Sequence, residues 1–221
     1  MRLSSLAIAS LLAAGTTTLF ADSFTPYSNS GHPITTSSPV TYSGANGLAG
    51  GITAYFYSVS AADTDTISVY DASQGVFLSP TNAFNNQASG TVGSSVVFDS
   101  ASLHNGDTLY FVLSNQQVPS IFSSDANSAD AEGSTDGDDH AYITPFSGTI
   151  GSYGTIVGTY VGMEDLPSGS SDWDYNDDTF VFTNVTNPKG DPSPTPEPST
   201  FALLGTGLLG AAGALRRKFV R

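Results

Sequence analysis

Between residues 50 and 186 the apolar side chains fall in short runs, and within each run every second position is apolar. That is the period of a strand with one buried face. No window sustains a helical stripe with caps. The spacing predicts strands at 52–59, 66–70, 95–98, 108–114, 141–145, 156–162 and 179–185. In the fourth, Leu109, Phe111 and Leu113 face one way and Thr108, Tyr110 and Val112 the other. Turn residues such as Asn105-Gly106-Asp107 separate the runs. About seven short strands with such turns predict an all-β domain, an antiparallel two-sheet β-sandwich rather than a closed eight-strand barrel. Its Phe and Tyr side chains are expected to fill the core and pair across strands. Residues 22–46, rich in Ser, Thr, Pro and Asn, read as a loose lead-in or an edge strand.

Both ends of the chain break this pattern. Met1-Arg2 is followed by Leu6, Ile8, Leu11, Leu12 and Ala13 and then by small residues, the order of a secretory signal. A signal peptide is expected over 1–21. Cleavage after Ala21 would leave Leu19 at the minus-three position, so a cut near Ala14 or Gly15 competes with it. The β-sandwich domain is expected over 22–187. A Pro-rich linker at 188–198 then separates it from an apolar run at 201–215, which Arg216-Arg217-Lys218 closes. Fifteen residues span roughly 22 Å as a helix, a marginal single transmembrane helix against a hydrocarbon layer of about 30 Å. Its basic end should stay cytoplasmic, leaving the domain outside. Gly205-Thr206-Gly207-Leu208-Leu209-Gly210 has dinucleotide-loop spacing, but no strand precedes it and no acid follows, so that reading is rejected.

Here the residues resemble the PEP-CTERM sorting signal of Gram-negative bacteria: Pro196-Glu197-Pro198, a short Gly- and Leu-rich helix and an Arg cluster, together 199–221 with the motif just ahead. The resemblance implies recognition and cleavage by an exosortase-type transpeptidase. It also implies an inner-membrane intermediate, held by the C-terminal helix before processing, and delivery to the cell surface or extracellular matrix.

Charge narrows the partners. From 22 to 188 there are 18 Asp and Glu and no Lys or Arg, a net −18. Such a stretch cannot release counterions from a phosphate backbone, so nucleic acid is excluded as a partner, and anionic lipid headgroups are not attracted. Cations are. Asp172, Asp174 and Asn176 at i, i+2 and i+4 place oxygens on a turning loop where they can converge on one hard cation. Glu164, Asp165 and Asp177 flank them. The loop is no EF-hand, because its sixth position is Asp177 where glycine is needed and its twelfth is Thr183. A second acidic segment, 125–140, contains Asp125, Asp130, Glu132, Asp136, Asp138 and Asp139. If 141–145, 156–162 and 179–185 form a meander, both acidic segments share one end of the sheet. Their mutual repulsion then calls for calcium, with Glu164, Asp165, Asp172, Asp174, Asn176, Asp177, Asp136 and Asp138 as candidate ligands. Trp173 and Tyr175 should turn inward and brace the loop.

Asp136-Gly137-Asp138-Asp139-His140, Gly162-Met163-Glu164-Asp165-Leu166 and Ser171-Asp172-Trp173-Asp174-Tyr175-Asn176-Asp177 also resemble signatures of an uncharacterised β domain common in PEP-CTERM proteins. The likeness covers roughly 105–187 and implies a fold and a site location, no activity. Many relatives carry Leu or Met where this chain has Asp178, which adds one more oxygen.

No enzyme is expected. The chain has no Cys and no Gly-x-Ser-x-Gly, its three His lie in turns without a recognisable partner, and no basic side chain of the domain can orient an anionic substrate. Zinc would need more His or any Cys. Two functional classes follow: a cation-stabilised structural protein of the surface or matrix, or a module that binds exopolysaccharide through calcium and exposed Tyr.

Overall fold

The computed structural model describes residues 24–45, 47–79, 84–86 and 91–187. The expected signal peptide, linker, sorting motif and membrane helix lie outside these residues. The chain divides into two compact units, Met1–Pro188 and Lys189–Arg221, and the first contains all that follows.

Twelve strands make up the described part: β1 (Val40–Tyr42), β2 (Ile52–Val59), β3 (Asp65–Asp71), β4 (Val76–Phe77), β5 (Phe84–Asn85), β6 (Ser95–Phe98), β7 (Thr108–Asn115), β8 (Ile121–Ser123), β9 (Ala141–Thr149), β10 (Thr155–Met163), β11 (Asp178–Thr183) and β12 (Val185–Thr186). Among the described residues, a single 3-10 turn at Gly47–Gly50 is the one helical element. The first sheet runs β12-β1-β7-β3-β4, with β5 added to β3 and β8 to β7. The second runs β6-β2-β11-β10-β9. Every pairing is antiparallel. The expected all-β, two-sheet architecture is therefore present.

The inner faces of the two sheets meet in one core. Ile67 and Val69 of β3 and Leu109, Phe111 and Leu113 of β7 come from the first sheet; Ile52, Ala54 and Phe56 of β2, Val161 and Met163 of β10 and Phe180 and Phe182 of β11 come from the second. Phe111 and Phe182 touch across the gap with ring centroids 4.2 Å apart. Strict alternation along these strands sets the stage for the site. The same parity puts Asp65 and Asp71 of β3, Asn115 of β7 and Asp178 of β11 on core-facing positions at the strand ends.

The second sheet is apolar on its outer face too. Phe146, Ile150, Tyr160 and Val181 form a smaller cluster there, joined by Tyr55, Tyr57 and Phe24. Phe24 stacks on Tyr160 at 4.6 Å, so part of the lead-in covers this face.

Three expectations need correcting. The run at 179–185 is two strands. Thr183 still pairs with Thr53 in the second sheet, Asn184 takes a left-handed φ of 63°, and Val185 pairs with Tyr42 in the first. The Asn184 side chain donates to the Gly51 carbonyl at 2.8 Å and holds the switch. Secondly, the lead-in is no edge strand, because β1 lies between β12 and β7. Thirdly, β9 continues past Pro145 to Thr149. As an edge strand it has one side without a partner, where a missing N–H is tolerated.

Candidate metal centre

Strands β9, β10 and β11 form the expected meander, with Met163 paired to both Ala141 and Asp178. The two acidic segments therefore meet at one end of the second sheet. Ser168 donates from its amide to Asp136 Oδ2 at 2.9 Å, the Glu164 amide donates to the His140 carbonyl at 2.9 Å, and the Tyr175 hydroxyl donates to the Asp139 carbonyl at 3.0 Å.

The loop between β10 and β11 is built around two inward aromatic side chains. Trp173 and Tyr175 are both buried and both left-handed, with φ of 53° and 57°. A non-glycine residue pays about 1–2 kcal/mol for that conformation, so packing must impose it. The packing is visible. Trp173 lies 4.9 Å from the His140 ring, while Tyr175 meets Tyr27 edge-on at 4.7 Å and its hydroxyl accepts the Ile34 N–H at 2.8 Å. Gly162 lets the loop cross β10, because any Cβ there would collide with the Tyr175 carbonyl. The loop's polar residues are left at its rim.

There, carboxylate oxygens of Glu164, Asp172 and Asp174 lie within 4.8 Å of one another. Glu164 is fully buried; it accepts the Tyr175 N–H and the Ser171 hydroxyl. Burial pushes its carboxyl up to about 7, against those two hydrogen bonds and helped by Asp177 and Asp172. Burial, and then Asp172, also raise Asp174. Asn176 is exposed, and its side-chain amide is turned onto Asp174, so it serves the neighbouring carboxylate.

The other candidates separate from this group. Asp136 and Asp138 bind Ser168, and Asp136 also bridges to His140 Nε2 at 3.1 Å from each oxygen. Burial works against the Asp136 charge, yet the Ser168 hydrogen bonds and His140 hold the carboxyl below its usual range. His140 is itself buried between Phe122 and Trp173, which lowers its pKa against the pull of Asp136. This pair ties the two loops together. Asp165 and Asp177 pair with each other, the Asp165 amide donating to Asp177 Oδ2 at 3.2 Å, while the Asp177 charge still acts on Glu164. A third set, Asp125, Asp130 and Glu132, also brings carboxylate oxygens within 4.8 Å, with Asp125 accepting the Ser37 hydroxyl at 2.8 Å.

Sequence reasoning missed the buried Asp65, Asn86 and Asn115. Their signal was present only as parity: Asp65 precedes Ile67 and Val69 by two and four residues on the core-facing side.

The site thus lies at the acid-rich end of a part that is all-β among the described residues. Residues 194–218 match the PEP-CTERM protein-sorting motif, so the chain carries that sorting signal. The motif marks an exported protein that an exosortase-type enzyme recognises during a membrane-anchored sorting step. No curated protein and no solved structure matches the chain.

Proposed function

We propose that this is a structural protein of the Gram-negative cell surface or extracellular matrix, and that calcium at its acidic end holds the β-sandwich in its working form. Glu164, Asp172 and Asp174 would be the ligands of an outer site. The observation that carries the reading is the loop itself: two left-handed aromatic residues and a glycine-only crossing are spent on bringing three carboxylates together. All the donors are hard oxygens, which suit calcium better than a transition metal. With no Lys or Arg from 22 to 188, the domain supplies no basic side chain to neutralise them.

Terbium, which replaces calcium at oxygen sites, tests this through Trp173, the chain's single tryptophan. Excitation of Trp173 should give sensitised terbium emission that calcium competes away, and Asp172→Ala with Asp174→Ala should abolish it. Emission unchanged in that double variant overturns the outer site. For the sorting part, replacing Pro196, Glu197 and Pro198 with alanine should leave an unprocessed, membrane-associated chain.

Sugar binding is the weaker reading. Tyr55, Tyr57, Tyr142 and Tyr160 are the aromatic group of a sheet face; Phe24 packs on Tyr57 and Tyr160, Tyr27 on Tyr142 and Tyr153 on Tyr55.

A further inference from the structure

The lead-in, residues 24–38, lies outside the twelve strands, yet it joins the aromatic face of the second sheet to both acidic segments. Its first residues sit on that face. Phe24 stacks on Tyr160 at 4.6 Å and meets Tyr57 edge-on at 5.9 Å. The Tyr142 hydroxyl donates to the Thr25 carbonyl at 2.8 Å, and the Tyr27 ring packs on Tyr142 and Tyr175 at 5.2 and 4.7 Å.

Two backbone N–H groups of the lead-in then go to the loop between β10 and β11. Gly31 donates to the Asp172 carbonyl at 2.9 Å, and Ile34 donates to the Tyr175 hydroxyl at 2.8 Å. These two loop residues bracket Asp174, so the lead-in fixes the backbone on either side of it. Gly31 turns at a φ of 85°, a conformation that glycine adopts without strain. Further on, the Ile34 carbonyl accepts the Asp139 N–H at 2.9 Å, and the Ser37 hydroxyl donates to Asp125 Oδ1 at 2.8 Å. A segment held by a few rings and isolated hydrogen bonds opens at a lower free energy than the strands beneath it. When it opens, Asp172 and Tyr175 lose these partners.

We propose that residues 24–34 are a strap coupled to the outer site: a cation held by Glu164, Asp172 and Asp174 keeps the strap seated on Tyr57 and Tyr160, and loss of the cation frees the strap and bares that face. The proposal rests on the outer-site reading above. The coupling runs through two residues that serve both partners. Asp172 gives its carboxylate to the site and its carbonyl to Gly31. Tyr175 gives its N–H to Glu164 and its hydroxyl to Ile34. Linkage makes the effect reciprocal: the factor by which the ion tightens the strap is the factor by which the strap tightens the ion.

Amide exchange and terbium titration of the exported protein test this together. Replacing calcium with chelator should speed exchange at the Gly31 and Ile34 amides about 10-fold or more, and Asp172→Ala/Asp174→Ala should lose that calcium dependence. Phe24→Ala/Tyr27→Ala removes the anchors of the strap and no carboxylate, and should raise the terbium midpoint by up to the same factor. Tyr142→Phe keeps the ring and takes away only the hydroxyl that holds Thr25; it should move the midpoint the same way by less. A strap that merely props the fold would lower the melting temperature of these variants and leave the midpoint in place. Exchange at Gly31 and Ile34 that ignores calcium while wild-type terbium emission persists overturns the strap and leaves the outer site standing. A midpoint unchanged in both strap variants also overturns the strap. Absence of terbium emission from the wild type overturns the outer site, and the coupling with it.

Discussion

Strand β3 starts and ends on aspartate, and its two ends solve the same problem differently. At the far end, Asp71 accepts the Ser73 and Gln74 amides at 3.0 and 3.1 Å through one oxygen. Its acidic neighbour Asp107 accepts the His104 amide at 2.6 Å. Burial, opposed by those amides and assisted by Asp107, lifts Asp71 to about 6. One shared proton can quiet a pair of this kind. At the near end, burial and then Asp178 push Asp65 up to about 8, and Asp178 and Asp177 rise to about 7, again through burial first. Here Asn86 donates to one oxygen of Asp65 and one of Asp178, both at 3.1 Å, and the second oxygen of each is buried without a hydrogen bond, as Asp71 Oδ2 is at the far end. A local turn handles two carboxylates at the far end, whereas the near end brings one from each sheet onto a single asparagine side chain.

The contrast can be broken most sharply by chelation. Removing calcium should speed amide exchange at 164–178 by up to about 100-fold if the ion is present at 100 times its Kd, and leave residues 71–75 and 104–108 unchanged. Equal acceleration at both ends would erase the difference. Next in size is Gly162→Ala. Its Cβ has nowhere to go beneath the Tyr175 carbonyl, so the variant should lose about 1–3 kcal/mol on denaturant unfolding and lose terbium emission with it. Tyr175→Phe removes the hydroxyl between Ile34 and Asp139 and should cost about 1–3 kcal/mol, with weaker calcium binding at Glu164, Asp172 and Asp174.

The smallest effect belongs to the far end. Asp71 holds its proton more tightly folded, at about 6, than at the ordinary 3.8. The unfolded chain therefore loses that proton first, and stability declines as pH rises from about 4 to about 6, then levels off. Asp71→Asn keeps an acceptor for the two amides and should flatten this slope, raising the melting temperature at pH 7.5 by about 2 °C or less. A steeper slope in the variant would contradict the assignment.

How much of this was readable beforehand depended on length and locality. Strands of six to nine residues, such as β2, β10 and β11, showed their alternation because they contain several periods. β4, β5 and β12 have two residues each, too few for any period to appear. The outer carboxylates were legible because Asp172 and Asp174 share one loop and the meander brings Glu164 to it. The inner group was not, since Asp65, Asn86 and Asp178 are distant in sequence and only the pairing of β5 with β3 and the facing of the two sheets unite them. Asp165 and Asp177 stand next to the outer carboxylates, the first pairing with the second and the second acting on Glu164. Asp136 and Asp138 were grouped there too, whereas Ser168 and His140 claim them.

The claim beneath all of this is that cations hold the acidic end together. Melting curves of the exported protein at pH 7.5, in calcium and in chelator, test it most directly. At 100 times its Kd each bound ion adds about 2.7 kcal/mol, so a domain of this size should melt about 5–10 °C higher in calcium for each site filled. Superimposable curves in calcium and in chelator would contradict the account.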